Sequence, residues 1–299
     1  MEIWILASIA AALFQSIRFM LQKYLSQAAL SATGATFARF VYSAPLSVII
    51  LLCVIWWLRP EINVPATAFW AYGLIGGVAQ IIATVCTVML LRLRNLAVGM
   101  TLIKSEILLT AFVGYVALGE RISSAGLFTI TLGVIGVLVL SKPMDGAIGW
   151  RRFLTPSAAL GLFAGTLFAV SAVCYRGATL EVDSDLPLLR ALITLAFVTT
   201  MQMVGLWIWL CLREPGETGR VLIAWRSAGF IGLSSLAGSL CWFVAFTLQN
   251  AAYVKAVGQV ELIFGIMITL LIFRERIGRH EYMGMALLST SIVGLVMLT

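Results

Sequence analysis

Two glutamates, Glu106 and Glu261, stand 155 residues apart, each inside an apolar stretch and each followed fourteen residues later by Glu-Arg-Ile. A carboxylate at membrane depth is costly unless it is paired or faces water, so its default reading is functional. The chemistry open to it is ion pairing, proton carriage or contact with a polar cargo. The same offset pairs Asn95 with Asn250, Trp70 with Trp225, Gly77 with Gly232 and Cys86 with Cys241, all without a gap. One intramembrane carboxylate in each of two repeats points to a site at the repeat interface.

Further polar residues lie on helical stripes inside apolar segments. Gln15, Arg18 and Gln22 fall at i, i+3 and i+7, which reads as a cavity wall presenting one cation and two amides. The alternative is an arginine that snorkels to headgroups and amides that pack between helices. Gln80, Thr84 and Thr87 form a second stripe, and the 155-residue offset carries it to Ser235, Ser239 and Trp242. These two stripes read either as pocket walls or as helix packing, for which Gly76, Gly77, Ala79, Gly232 and Gly238 are suited. Trp242 offers a face for stacking on an organic substrate or a cation and serves equally as a packing residue.

Lys104 and Glu106 are two residues apart, so on a helix they point about 200° apart and need separate partners. Arg39, Arg190 and Arg18 are the cations the sequence offers. Lys255 and Gln259 share a face at i, i+4. Under the repeat, Lys104 is equivalent to Gln259 and Glu106 to Glu261. One reading has Lys104 and Gln259 lining a central cavity. The other makes both glutamates structural, paired as Glu106–Arg39 and Glu261–Arg190. Lys104, the asymmetric member, is the residue expected to supply positive charge to a substrate. The expected substrate contacts are thus Lys104, Gln15, Arg18, Gln80, Ser235, Trp242 and Gln259. Glu106, Glu261, Arg39 and Arg190 are the coupling or structural ion-pair residues.

Transmembrane helices must position this set. The chain of 299 residues is 61% hydrophobic and 11% charged, with a mean hydropathy of +1.03. Soluble domains carry about 25% charged residues, so an integral membrane protein is expected. The net charge of +7 sits in connections between apolar segments and is no nucleic-acid signal. Five scattered cysteines and the single His280 in a charged turn argue against a disulfide framework or a metal centre, and no cofactor is implied. The start, Met1-Glu2-Ile3-Trp4, lacks the basic region of a signal peptide, so residues 3–24 are read as a retained first span.

Ten segments reach about 20 apolar residues, near 3–24, 32–58, 67–92, 95–118, 123–141, 155–176, 186–212, 222–248, 251–273 and 279–298. The all-α integral membrane fold expected is therefore ten transmembrane helices in two five-helix repeats, 1–141 and 155–299, joined by a linker at 142–154. An odd number of helices per repeat forces the two copies to insert with opposite orientation. Basic residues near helix ends divide twelve to three between the two membrane sides. Lys142, Arg151 and Arg152 mark the cytoplasmic side, with both termini outside. Glu120-Arg121 and Glu275-Arg276 fall where helices turn and read as caps of helix ends.

Leu118-Gly119-Glu120-Arg121-Ile122 followed by Gly126 and Gly136, with Phe273-Arg274-Glu275-Arg276-Ile277 followed by Gly284 and Gly294, resembles the drug/metabolite transporter superfamily, EamA-type branch. The resemblance covers the whole chain in layout. It departs from the commoner pattern at Phe-Gln-Ser-Ile-Arg in the first helix and Lys-Ser-Glu in the fourth. It implies a multi-pass protein of the inner (plasma) membrane. The implied function is secondary active transport, with export the family-level direction, of a small polar organic metabolite such as an amino acid or other zwitterion or carboxylate. If a proton is coupled, a desolvated glutamate would carry it. A flippase of the same fold, for a lipid or lipid-linked substrate, is the competing reading. No nucleophile, base or metal constellation of an enzyme and no channel filter motif is present in the sequence.

Overall fold

The computed structural model describes residues 2–28, 30–60, 65–91, 103–140, 156–268 and 279–298. These residues form helices, with no strand among them. In chain order they are α1 (Ile3–Ala28), α2 (Ala32–Leu58), α3 (Thr67–Leu91), α4 (Glu106–Leu118), α5 (Ser124–Leu140) and α6 (Pro156–Leu180). There follow α7 (Pro187–Arg213), α8 (Glu217–Ile223), α9 (Trp225–Leu248), α10 (Ala251–Val257), α11 (Val260–Ile268) and α12 (Arg279–Leu298). Six of these, α1, α2, α3, α6, α7 and α9, are long and apolar enough to cross a membrane, and α4, α5 and α12 hold shorter apolar stretches. The linker at 142–154, Asn95, and the second Glu-Arg-Ile at 275–277 lie outside the described residues.

Local chemistry sets the helix ends. Ser31 caps α2, its hydroxyl accepting from Gly34 N at 2.9 Å, while the buried Glu217 of α8 accepts from Ser31 N. Asn250 caps α10 in the same manner through Ala252 N at 2.9 Å. Gly119 closes α4 in the left-handed conformation, φ 67°, its N–H reaching Tyr115 O, and Glu120 N bonds Gly114 O. That is the paired closure a glycine permits at a helix C-terminus, and it accounts for Leu-Gly-Glu-Arg as a helix stop. Glu120 itself reaches further than a local cap. Its carboxylate accepts from Arg176 Nε of α6 at 2.9 Å, and Arg176 also donates to the last carbonyls of α9, Phe246 O at 2.6 Å and Thr247 O at 2.8 Å.

The most extensive helix contacts join a helix before residue 141 to one after 155: α3 with α6, α1 with α9, α5 with α12, and α2 with α7. Small residues allow the closest of these. Cβ added at Gly136 of α5 would meet Leu288 N at 2.9 Å and Gly284 O at 3.0 Å, so α5 and α12 touch backbone to backbone. Large apolar side chains such as Trp57, Phe112, Phe128 and Leu212 face outward, whereas Arg18, Arg39, Lys104, Glu106 and Lys255 are buried. Such an apolar exterior around a polar interior suits hydrocarbon as the solvent.

The segments expected as continuous fourth and ninth helices are interrupted. A turn at Lys104–Ser105 precedes α4, and a turn at Gly258–Gln259 separates α10 from α11. The interruptions fall at nearly equivalent places under the 155-residue offset. Broken backbone at this depth is tolerated where it is buried in protein or lines a cavity.

Candidate functional site

Residues flanking the two interruptions meet at a cavity of about 40 Å³ that is also lined by α1, α2, α3, α6 and α9. That space holds a few waters and is too small for an organic metabolite. Gln15 and Arg18 reach it from α1, Arg39 from α2, Gln80 and Thr87 from α3, and Ser239 and Trp242 from α9. Lys104, Glu106, Lys255 and Glu261 reach it from the broken segments.

The four charges of the broken segments form two ion pairs that exchange partners between the halves. Lys104 pairs with Glu261, and Lys255 pairs with Glu106, Nζ to Oε2 3.4 Å. Gln15 locks the first pair, its Nε2 donating to Glu261 Oε2 at 2.6 Å while its Oε1 accepts from Trp242 Nε1 at 3.1 Å. The second pair is looser, and the Lys255 ammonium also lies over the rings of Trp242 (5.0 Å) and Phe168 (5.7 Å). Trp242 rests on the interruption itself. Cβ added at Gly258 would run into its indole, so only glycine leaves room there for this packing.

The arginine pairings considered from the sequence are therefore corrected. Arg39 meets hydroxyls, not Glu106. Its Nε donates to Ser235 at 2.8 Å, Nη1 to Thr84 at 3.3 Å and Nη2 to Ser239 at 3.2 Å. Arg190 caps the end of α6, donating to Thr179 O at 2.8 Å and Leu180 O at 2.9 Å, away from Glu261 and from the cavity. The physical reason is reach. Each glutamate begins a helical segment facing the opposite half's lysine, and that lysine lies nearer than the arginine of its own half. Lys255, absent from the expected site, is the missed partner. An ungapped offset aligns Lys104 with Gln259, one helical turn beyond Lys255, yet Lys255 and not Gln259 lines the cavity.

Five of the seven expected substrate contacts line the cavity: Lys104, Gln15, Arg18, Gln80 and Trp242. Ser235 stands behind it as a ligand of Arg39. Gln259 is buried off the cavity, its Nε2 donating to Lys255 O at 3.3 Å. Gln80 is engaged by α6 and α7, its Oε1 accepting from Tyr175 OH and Gln202 Nε2, each at 3.0 Å. Gln22 packs between helices, donating to Ala35 O at 3.1 Å. Arg18 does not snorkel. It is 4% exposed, its Cζ lies 4.6 Å over the Phe19 ring, and its Nε has no hydrogen-bond partner. Tyr175, Phe168 and Phe246 also line the space. They carried no sequence signal, because an aromatic residue in an apolar helix looks the same whether it faces lipid or a cavity. Among the described residues no cluster of His, Cys, Asp and Glu could hold a metal.

Residues 2–142 match the model of the EamA-like transporter family, a stretch that includes Arg18, Arg39, Lys104 and Glu106. The fold is shared with a solved crystal structure of another protein at a TM-score of 0.70, covering 99% of this chain and 96% of that one at 15% identity. No curated protein matches the sequence. The glycine-closed fourth helix and its Glu-Arg, the glycine-punctuated fifth and the family match fall on the same residues, so residues 2–142 are similar to the EamA-like transporter family.

Proposed function

We propose that the chain is a ten-span secondary active transporter of a small polar organic metabolite bearing a carboxylate or another anionic group, working as an exporter by alternating access. The observation that carries this reading is the buried charged cavity, to which both halves bring an interrupted helix and one member of each ion pair. Interrupted helices around a midplane site are the arrangement used by transporters built from inverted repeats. The inverted-repeat organisation, 1–141 against 155–299, is supported by the helix contacts. Exchanging the halves turns the α3–α6 contact into α9–α1, and leaves α2–α7 and α5–α12 as they are. The small volume supports alternating access, because a cargo of metabolite size requires the halves to part. The ion pairs between the halves would then be broken and remade in each cycle, and either glutamate, once separated from its lysine, is placed to take up a proton.

The cytoplasmic side is assigned to Lys142, Arg151 and Arg152, with both termini outside, on the asymmetry of basic residues. Counterflow into proteoliposomes with labelled succinate, glutamate and phenylalanine tests transport. Accumulation of at least one, lost when the liposomes are made leaky, is expected. Failure of every anionic and zwitterionic probe to exchange, by protein shown to be folded, would sink the reading. A C-terminal reporter active only in the cytoplasm should stay silent.

A further inference from the structure

Four cations and two carboxylates line the cavity: Arg18, Arg39, Lys104 and Lys255 against Glu106 and Glu261. Each carboxylate already has a lysine. Two guanidiniums remain, at 4% and 2% exposure, with no carboxylate against them among the described residues. Among the described residues Arg39 meets only neutral groups, the hydroxyls of Ser235, Thr84 and Ser239 and, at 4.9 Å, the ring of Phe40. Arg18 has an aromatic face and an unsatisfied Nε. A buried cation without a counter-ion is costly, and a guanidinium presents a planar fork suited to carboxylate or phosphate oxygens.

We infer that the cargo carries two negative charges: an organic dianion, dicarboxylate or phosphate monoester, whose anionic oxygens take the place opposite Arg18 and Arg39 when the cavity opens. The inference rests on the transporter reading above and narrows its substrate class. The zwitterion loses ground on the same charge count, since the ammonium of an amino acid would need a free carboxylate and both are engaged. The remaining walls are aromatic. Trp242 stacks on Phe246 at a centroid distance of 5.7 Å and 16°, and Phe19 and Phe168 complete an apolar frame for a carbon skeleton.

The test is binding to the purified full chain at fixed ionic strength. The probes are succinate and phenyl phosphate as dianions, butyrate and benzoate as monoanions of similar shape, and phenylalanine as zwitterion. A dianion should bind about tenfold or more tightly than its matched monoanion, and Arg18→Gln should remove about that factor. Which of succinate and phenyl phosphate binds decides between the carboxylate and phosphate sources. Arg18→Lys, which keeps the charge and loses the fork, should fall between. Arg39→Gln should act like Arg18→Gln; if it fails to fold, Arg18→Gln alone decides. A monoanion or phenylalanine that binds as tightly as any dianion overturns the proposal, as does Arg18→Gln protein that binds a dianion unchanged. Counterflow separates the two claims. Dianion binding without exchange leaves the site standing and defeats transport, whereas exchange of phenylalanine without dianion binding defeats only the present proposal.

Discussion

The two ion pairs are chemically the same and structurally unequal. Lys104–Glu261 is reinforced by Gln15, which ties Glu261 to Trp242 and so joins α1, α9 and α11. Lys255–Glu106, at 3.4 Å, has no such bridge among the described residues and shares its ammonium with the faces of Trp242 and Phe168. The offset duplicates the glutamate but not the lysine, which stands at non-equivalent positions 104 and 255, and the neighbours decide how each pair is held.

Substitutions can break that comparison. The largest effect is expected for Lys104→Ala, which leaves Glu261 buried against Gln15 alone. Removing one partner of a buried pair costs about 3–5 kcal/mol, read as a lowered midpoint of thermal unfolding. Lys104→Met with Glu261→Gln should recover most of that loss, and a double-mutant cycle that shows simple additivity would mean the pair contributes nothing. Glu106→Gln should cost less, about 1–3 kcal/mol, because Lys255 keeps its aromatic contacts. Equal losses at the two sites would erase the inequality. Gly258→Ala forces Cβ into the Trp242 indole and should cost about 1–3 kcal/mol, seen as a shift in Trp242 fluorescence together with weaker binding. The smallest effect is expected at the other arginine. Arg190→Ala removes two bonds to the end of α6 at a half-exposed position, worth about 1 kcal/mol in unfolding midpoint, with ligand affinity unchanged. A loss of affinity there would return Arg190 to the site.

Arg39 and Arg190, matched under the repeat, show what the pattern could and could not convey. Both are arginines in the second helix of their half, but Arg190 lies in the first turn of α7, close to Asp183 and Asp185, whereas Arg39 lies two turns into α2 with no acidic neighbour along the chain. Arg39 ends among three hydroxyls inside the cavity, and Arg190 ends on the carbonyls of Thr179 and Leu180. The difference comes from which helix faces each, and that is set by packing between halves.

Hydropathy was enough to predict a helical membrane protein and the spans that contain α1, α2, α3, α6, α7 and α9. Of the polar residues singled out, Lys104, Gln15, Arg18, Gln80 and Trp242 line the cavity while Arg190 and Gln259 do not. Lipid offers no hydrogen bonds, so every polar side chain within a span must find an internal partner, and the sequence alone reveals which residues carry that demand. It does not reveal who answers it. Beside the interruptions at Lys104–Ser105 and Gly258–Gln259, Lys255 reaches Glu106 while Gln259 turns back onto the Lys255 carbonyl outside the cavity. Pairing across the halves depends on distances between residues about 150 positions apart in sequence. Only tertiary packing fixes such distances, because a helical stripe specifies a face and not the helix that comes to lie against it.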